Sequence, residues 1–213
     1  MSALWSTYGD MLLAAIRTHL YYVVISVAIG FVIGALLGIL LSRVPQISKI
    51  VMPILSVFQT IPGLAFIGIM YMWIGMRPLT VIIALATYAI FPVLKNTYTG
   101  ILEVPDQYVE AARGCGMTRF QILWKVELPL ASASIYAGLR MSTIYTVSWA
   151  VLAAMIGLGG LGDFIYQGTT SNNNTLILLG AIPAAILALL LGALIDWFQR
   201  RHTPRGMRKE VRR

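Results

Sequence analysis

The residues best suited to chemistry or contact cluster in one polar interruption of an otherwise apolar chain, Asn96 to Leu130, which holds four of the eight acidic residues: Glu103, Asp106, Glu110 and Glu127. Within it, Pro105-Asp106-Gln107-Tyr108-Val109-Glu110-Ala111-Ala112-Arg113 reads as a short helix, with Asp106 near its positive end. Gly114 and Gly116 would stop it, and a second amphipathic helix, roughly Met117 to Val126, would put Phe120, Leu123 and Trp124 on one side. Ala111 and Ala112 would permit close approach of another surface, and Glu110 could cap backbone amides or pair with a basic residue. Plainly read, this is an amphipathic pair on a membrane surface. Catalytic chemistry is harder to find. None of Lys49, Lys95, Lys125 and Lys209 follows a glycine, so there is no phosphate-binding G-x-x-x-x-G-K-[ST] loop and no means here of hydrolysing ATP. His19 and His202 sit near opposite ends without Cys or carboxylate neighbours at ligand spacing, so no metal site is expected.

The elements that must carry this loop are membrane spans. Of 213 residues, 58% are hydrophobic and 11% charged. With a mean hydropathy of +0.79, that leaves too little polar surface for a soluble domain and excludes a disordered chain. The single cysteine, Cys115, excludes a disulfide within the chain. Apolar runs long enough to cross the bilayer fall at about 20–41, 51–74, 78–98, 131–156 and 176–198, with an irregular Gly-rich stretch, Gly157 to Gly168, before the last. The first is read as a retained span, without a cleavage site. Five helices with the N-terminus outside put thirteen Lys and Arg in cytoplasmic segments and only Arg17 and Arg77 outside. That bias predicts N-out, C-in and accounts for the +8 net charge, so no nucleic-acid partner is expected. The organisation is a single domain, 1–199, with the loop at about 99–129, and a basic cytoplasmic tail, 200–213, near lipid headgroups or a partner.

Gly30, Gly34 and Gly38 recur every four residues and mark a close helix contact. Pro53, Pro62 and Pro92 predict bends whose freed carbonyls need other donors. Polar and aromatic groups inside spans are candidates to line a path: Gln59, Tyr71, Trp73, Tyr88, Tyr145 and Trp149, with Pro62 at a bend. The competing reading is an ordinary interfacial aromatic belt. Arg140, about ten residues into the fourth span, must face protein, water or headgroups, as a paired or snorkelling structural residue or as part of an inner gate. Asp196 and Arg200, four apart, predict a pair within one helix.

Glu110-Ala111-Ala112, three residues, Gly116, nine residues, then Val126-x-Leu128-Pro129 resembles the signature loop of membrane subunits of bacterial ATP-binding-cassette importers, departing only in Val126 for the usual isoleucine. The resemblance implies the binding-protein-dependent importer permease fold, all-α and polytopic. It also implies a coupling helix, with Glu110, Ala111, Ala112, Arg113, Gly116 and Met117 seated in a groove of a separate ATPase subunit. Gln59-Thr60-Ile61-Pro62-Gly63, the stretch Tyr88 to Ile101, and Gly157-Leu158-Gly159-Gly160-Leu161-Gly162 are similar to permeases of osmoprotectant importers for glycine betaine, carnitine and choline. The short length of this chain resembles most the Gram-positive type, in which two related small permeases can pair. The implied partners are ATPase subunits, a second permease, an extracellular substrate-binding protein and membrane lipid, in the bacterial cytoplasmic membrane. No cofactor is implied on this chain, ATP and Mg belonging to the ATPase. Gly157, Gly159, Gly160, Gly162 and Asp163 are then either a turn or an outer gate in contact with the receptor. Methionine importers share the glycine stretch and the loop, so methionine uptake is one alternative, and a non-transporting scaffold another.

Overall fold

The computed structural model describes residues 2–202, with side chains from Thr7 onward. It is helical, with no strand among the described residues. The helices are α1 (Ser2–Ser42), α2 (Pro45–Phe58), α3 (Gly63–Ile74), α4 (Pro78–Leu102), α5 (Asp106–Gly114), α6 (Arg119–Ile122), α7 (Leu128–Ala150), α8 (Leu161–Thr170) and α9 (Asn174–His202). Four stretches are long and apolar enough to cross a membrane: Thr7–Ser42, Pro78–Leu102, Arg119–Ile156 and Asn174–His202. Arg205, Arg208, Lys209, Arg212 and Arg213 of the expected tail lie outside the described residues.

Three expected boundaries are corrected. The second span, 51–74, is not one kinked helix: α2 and α3 meet at 91°, as a broken span or re-entrant pair. Pro62 disfavours helix at Ile61 and starts α3 as its N-cap, so the chain turns instead of bending. The second amphipathic helix does not end before the fourth span. α6 passes through a wider π-helical turn, Leu123–Glu127, straight into α7. Pro129 cannot donate to the Lys125 carbonyl and would crowd it in a regular helix, and the wider turn accommodates it. Lastly, only the beginning of the Gly157–Gly168 stretch is irregular, because α8 starts at Leu161. Gly162 and Gly168 serve packing there, since a Cβ would collide with the Val151 carbonyl oxygen and with Ile177 respectively.

α1 packs along α4, and α4 along α7. Tyr22, Val23 and Val27 of α1 meet Val81, Ile82 and Leu85 of α4 and Val147 and Ala150 of α7 in the principal core. The Gly30, Gly34, Gly38 face lies against α4, and a Cβ at Gly34 would stand 2.6 Å from the Ile90 carbonyl oxygen. Polar side chains stitch the same helices. Ser26 Oγ donates to the Ile82 carbonyl (3.2 Å), Ser142 Oγ to that of Ala89 (2.9 Å), and His19 Nε2 to that of Val147 (3.1 Å). α7 spans about 35 Å at 1.5 Å per residue, so α5 and the Gly157–Gly160 turn sit at opposite ends of the bundle.

Candidate coupling face and path

α5 opens with Asp106 and closes with Arg113, matching the positive and negative ends of its dipole. Its inner side is set by half-buried Val109, against Ile101, Val104 and Ala131, and by buried Ala112. Tyr108, Glu110, Ala111 and Arg113 are exposed. Only Ala111 therefore offers a slim outer face, whereas Ala112 seats the helix on the bundle. Glu110 lies mid-helix, away from the amides it would cap.

The stop is a Schellman motif: Met117 N–H donates to the Ala112 carbonyl (3.1 Å) and Gly116 N–H to that of Arg113 (2.9 Å), with Gly116 at φ +78°. Nothing lies within 4 Å of a Cβ built at Gly116, so its requirement is the left-handed backbone and not crowding. Thr118 restarts the chain at once with a capping box. Its hydroxyl accepts from Gln121 N–H (3.3 Å) and its own N–H donates to Gln121 Oε1 (2.8 Å). Two rigid caps thus tie α5 to α6 and, through the π turn, to α7. At that turn buried Glu127 is gripped by Arg43 from the end of α1, Nη1 donating to Oε1 at 3.1 Å and Nη2 to Oε2. Sequence reading missed this pair, although an acidic residue two positions before the Pro129 of a span is a usable signal.

Of the expected path residues, Gln59, Pro62, Tyr88 and Trp149 come together at the elbow between α2 and α3. Pro92 deprives the Tyr88 carbonyl of its helical N–H donor, and Gln59 Nε2 supplies one at 3.2 Å. The Ile61 carbonyl, freed by the break, accepts from Tyr88 Oη at 2.7 Å. The Tyr88 ring stands edge-on to Trp149 with centroids 4.1 Å apart. Tyr71 and Trp73 are exposed on α3, away from this cluster.

Arg140 and Tyr145 belong to a different place, a groove of about 360 Å³ between α7 and α9. The expected Asp196 and Arg200 pair is replaced: Asp196 Oδ1 faces Arg140 Nε at 3.4 Å. The crossing of α7 over α9 at Gly192, where a Cβ would lie 3.7 Å from Arg140 Nε, brings the two together. At the opposite end, Gly157, Gly159 and Gly160 have positive φ, and Tyr22 Oη donates to the Leu158 carbonyl (2.9 Å). Gly159, Gly160 and Asp163 line an open cavity of about 280 Å³ with Thr18 and Phe164, while Gly162 is packed away and Gly157 touches Met76. Burial pushes the Asp163 carboxyl above the usual carboxylate range. No cluster of three or more His, Cys, Asp or Glu side chains suited to a metal is present among the described residues.

These features are those of a transporter's membrane subunit: a broken span, an exposed short helix between two spans, and open grooves carrying polar groups. Residues 30–208 match the family described as the binding-protein-dependent transport system inner membrane component, and the chain belongs to that family. It is thus a multi-pass permease component and not an enzyme. It is 40% identical over 201 residues to the carnitine transport permease protein OpuCB of Listeria monocytogenes, covering 94% of this chain and 92% of that one. It is 38% identical over 213 residues to the glycine betaine/carnitine/choline transport system permease protein OpuCB of Bacillus subtilis, covering 99% and 98%. Among solved structures, the inward-facing MetNI methionine ABC transporter superposes with a TM-score of 0.82 at 25% identity, covering 91% of this chain and 96% of that one.

Proposed function

We propose that this chain is a permease subunit of an ATP-driven importer of quaternary-amine osmoprotectants, namely glycine betaine, carnitine and choline, in a bacterial cytoplasmic membrane. It lies N-out and C-in, pairs with a second permease, receives substrate from an extracellular binding protein, and is driven by separate ATPase subunits. α5 is the coupling helix: Glu110, Ala111 and Arg113 meet the ATPase, while Ala112, Gly116 and Met117 hold the helix rigid on the bundle. The observation that carries the transport reading is this short helix, exposed on one side and stopped by a Schellman turn that leads through the capped start of α6, which runs without a break into α7. ATP-driven displacement of α5 then reaches a membrane span without being absorbed by a loop. The α2–α3 elbow with Gln59, Pro62, Tyr88 and Trp149, and the α7 groove with Arg140 and Tyr145, line the path. The Gly157–Gly160 turn and Asp163 in the first turn of α8 face the receptor.

The substrate class is supported by relatives of 35–40% identity with nearly full coverage, against 25% for the methionine transporter. The test is uptake of labelled glycine betaine, carnitine, choline and methionine at high osmolarity, with the chain deleted and then restored. Loss and recovery of a quaternary amine is expected. A change in methionine alone, or in none of the four after redundant importers are removed, would reject the reading.

A further inference from the structure

The two ion pairs among the described residues are built differently. Arg43 holds Glu127 with both terminal nitrogens, and the carboxylate side chain is only 9% exposed. That pair is closed. Arg140 meets Asp196 through Nε alone at 3.4 Å, with 52% of the arginine side chain and 30% of the aspartate exposed. The guanidinium fork, which matches a carboxylate in two-point fashion, is not spent on Asp196. Both charges lie within apolar spans, where a group left facing lipid is costly. Their groove also holds Tyr145, half-exposed and one turn beyond Met141 on the same stripe of α7. A carboxylate, an aromatic ring and an open guanidinium thus line one groove of about 360 Å³, room for a molecule of about ten heavy atoms.

From this arrangement we infer that the Arg140, Tyr145, Asp196 groove is a transient binding site for a zwitterion carrying a quaternary ammonium and a carboxylate, and that it favours zwitterions over simple quaternary cations. This rests on the proposed importer function and specifies the ligand of one part of its path. A quaternary ammonium has no N–H and cannot hydrogen-bond, so it is held by charge and by ring faces, here Asp196 and Tyr145. The carboxylate of the same molecule takes the guanidinium fork of Arg140. Ligand and ion pair then lie side by side with opposed dipoles. Because the groove and the zwitterion are each neutral overall, the complex leaves no charge uncompensated. Choline has the ammonium and no carboxylate, so it leaves Arg140 unmatched and adds a net positive charge beside it.

The test uses the complete importer, with both permeases, the ATPases and saturating receptor, reconstituted in liposomes and supplied with labelled glycine betaine, carnitine or choline. Arg140→Gln should lower the ratio of zwitterion to choline uptake by about tenfold or more, the effect of losing a charge-assisted two-point contact. Arg140→Lys, which keeps the charge and loses the fork, should lower it severalfold. It decides the matter if the glutamine variant fails to assemble on size-exclusion chromatography. Asp196→Asn should slow all three substrates, since all share the ammonium. Equal loss of zwitterions and choline in both Arg140 variants, or no change in the ratio, overturns the site. So does a wild-type importer that takes choline and neither zwitterion. A wild-type importer that takes none of the three refutes the importer reading itself, which separates that failure from failure of the site.

Discussion

The elbow between α2 and α3 yields a sharp prediction, because two carbonyls are each served by a single side chain from the other element. Gln59→Leu removes the donor to the Tyr88 carbonyl at 3.2 Å, and Pro92 cannot replace it. Tyr88→Phe removes the donor to the Ile61 carbonyl at 2.7 Å while leaving the ring against Trp149. Hydrogen bonds between membrane helices contribute about 0.6 kcal/mol on average and up to about 1.7 kcal/mol, and an orphaned buried carbonyl costs about 1–3 kcal/mol. Each substitution should therefore destabilise by about 1–2 kcal/mol. Since both bonds close the same break, the first loss releases part of what the second bond holds, and the double variant should fall short of the sum by about 0.5 kcal/mol. The assay is unfolding of the purified importer in mixed micelles of increasing denaturing detergent, with uptake measured on the same variants. A third background isolates the cause. With Pro92→Ala, residue 92 regains its N–H and can serve the Tyr88 carbonyl, so Gln59→Leu should become nearly neutral there. If Gln59→Leu costs as much in the Pro92→Ala background as in the native one, or if both single variants cost under about 0.3 kcal/mol, the proposed role of these bonds is wrong.

Gly116→Ala should cost about 1–2 kcal/mol through the left-handed backbone at φ +78°, raising the ATP hydrolysed per substrate imported in proteoliposomes, with Gly116→Asn milder. Equal stoichiometry in all three forms would detach the Schellman stop from coupling. Gly34→Leu should separate α1 from α4, since even a Cβ would stand 2.6 Å from the Ile90 carbonyl oxygen; an overpacking cost of about 3 kcal/mol or more should lower the thermal midpoint, and an unshifted midpoint would contradict the close contact. At the Arg43 and Glu127 pair the two single substitutions should be unequal. Arg43→Gln strands a buried carboxylate at about 3 kcal/mol, whereas Glu127→Gln leaves an arginine that reaches solvent and should cost less than half as much in the same melting assay. The reverse order would mean that the buried partner has been misassigned.

The rough place of the four long apolar spans was legible because hydropathy reports the cost of leaving water for hydrocarbon, and α5 was legible because the residues at its ends act locally: Asp106, Arg113 and Gly116 act within one turn of themselves. What failed to show was contact between residues far apart in the chain. Pro62 inside an apolar run reads as a kink. The conversion to a full turn depends on Gln59 donating to the Tyr88 carbonyl and Tyr88 Oη to the Ile61 carbonyl, across separations of nearly thirty positions. Glycine also reads ambiguously, as slack in a loop or as room for a neighbouring backbone: Gly159 and Gly160 take the first role, and Gly162 and Gly168, two and eight residues further on, take the second. The spacing of Asp196 and Arg200 favours a pair along one helix face, but a pair four apart on a solvated helix is worth only about 0.5 kcal/mol. Arg140 cannot leave its span to find another partner, and its need for a counter-charge inside apolar surroundings is several times larger. Asp196 is therefore claimed by the residue with the most to lose, and the same reasoning applies to His19, Ser26 and Ser142, each of which donates to a carbonyl on another helix. For these residues the polar side chain within an apolar span signals a partner, and only the packing of the helices says which one it is.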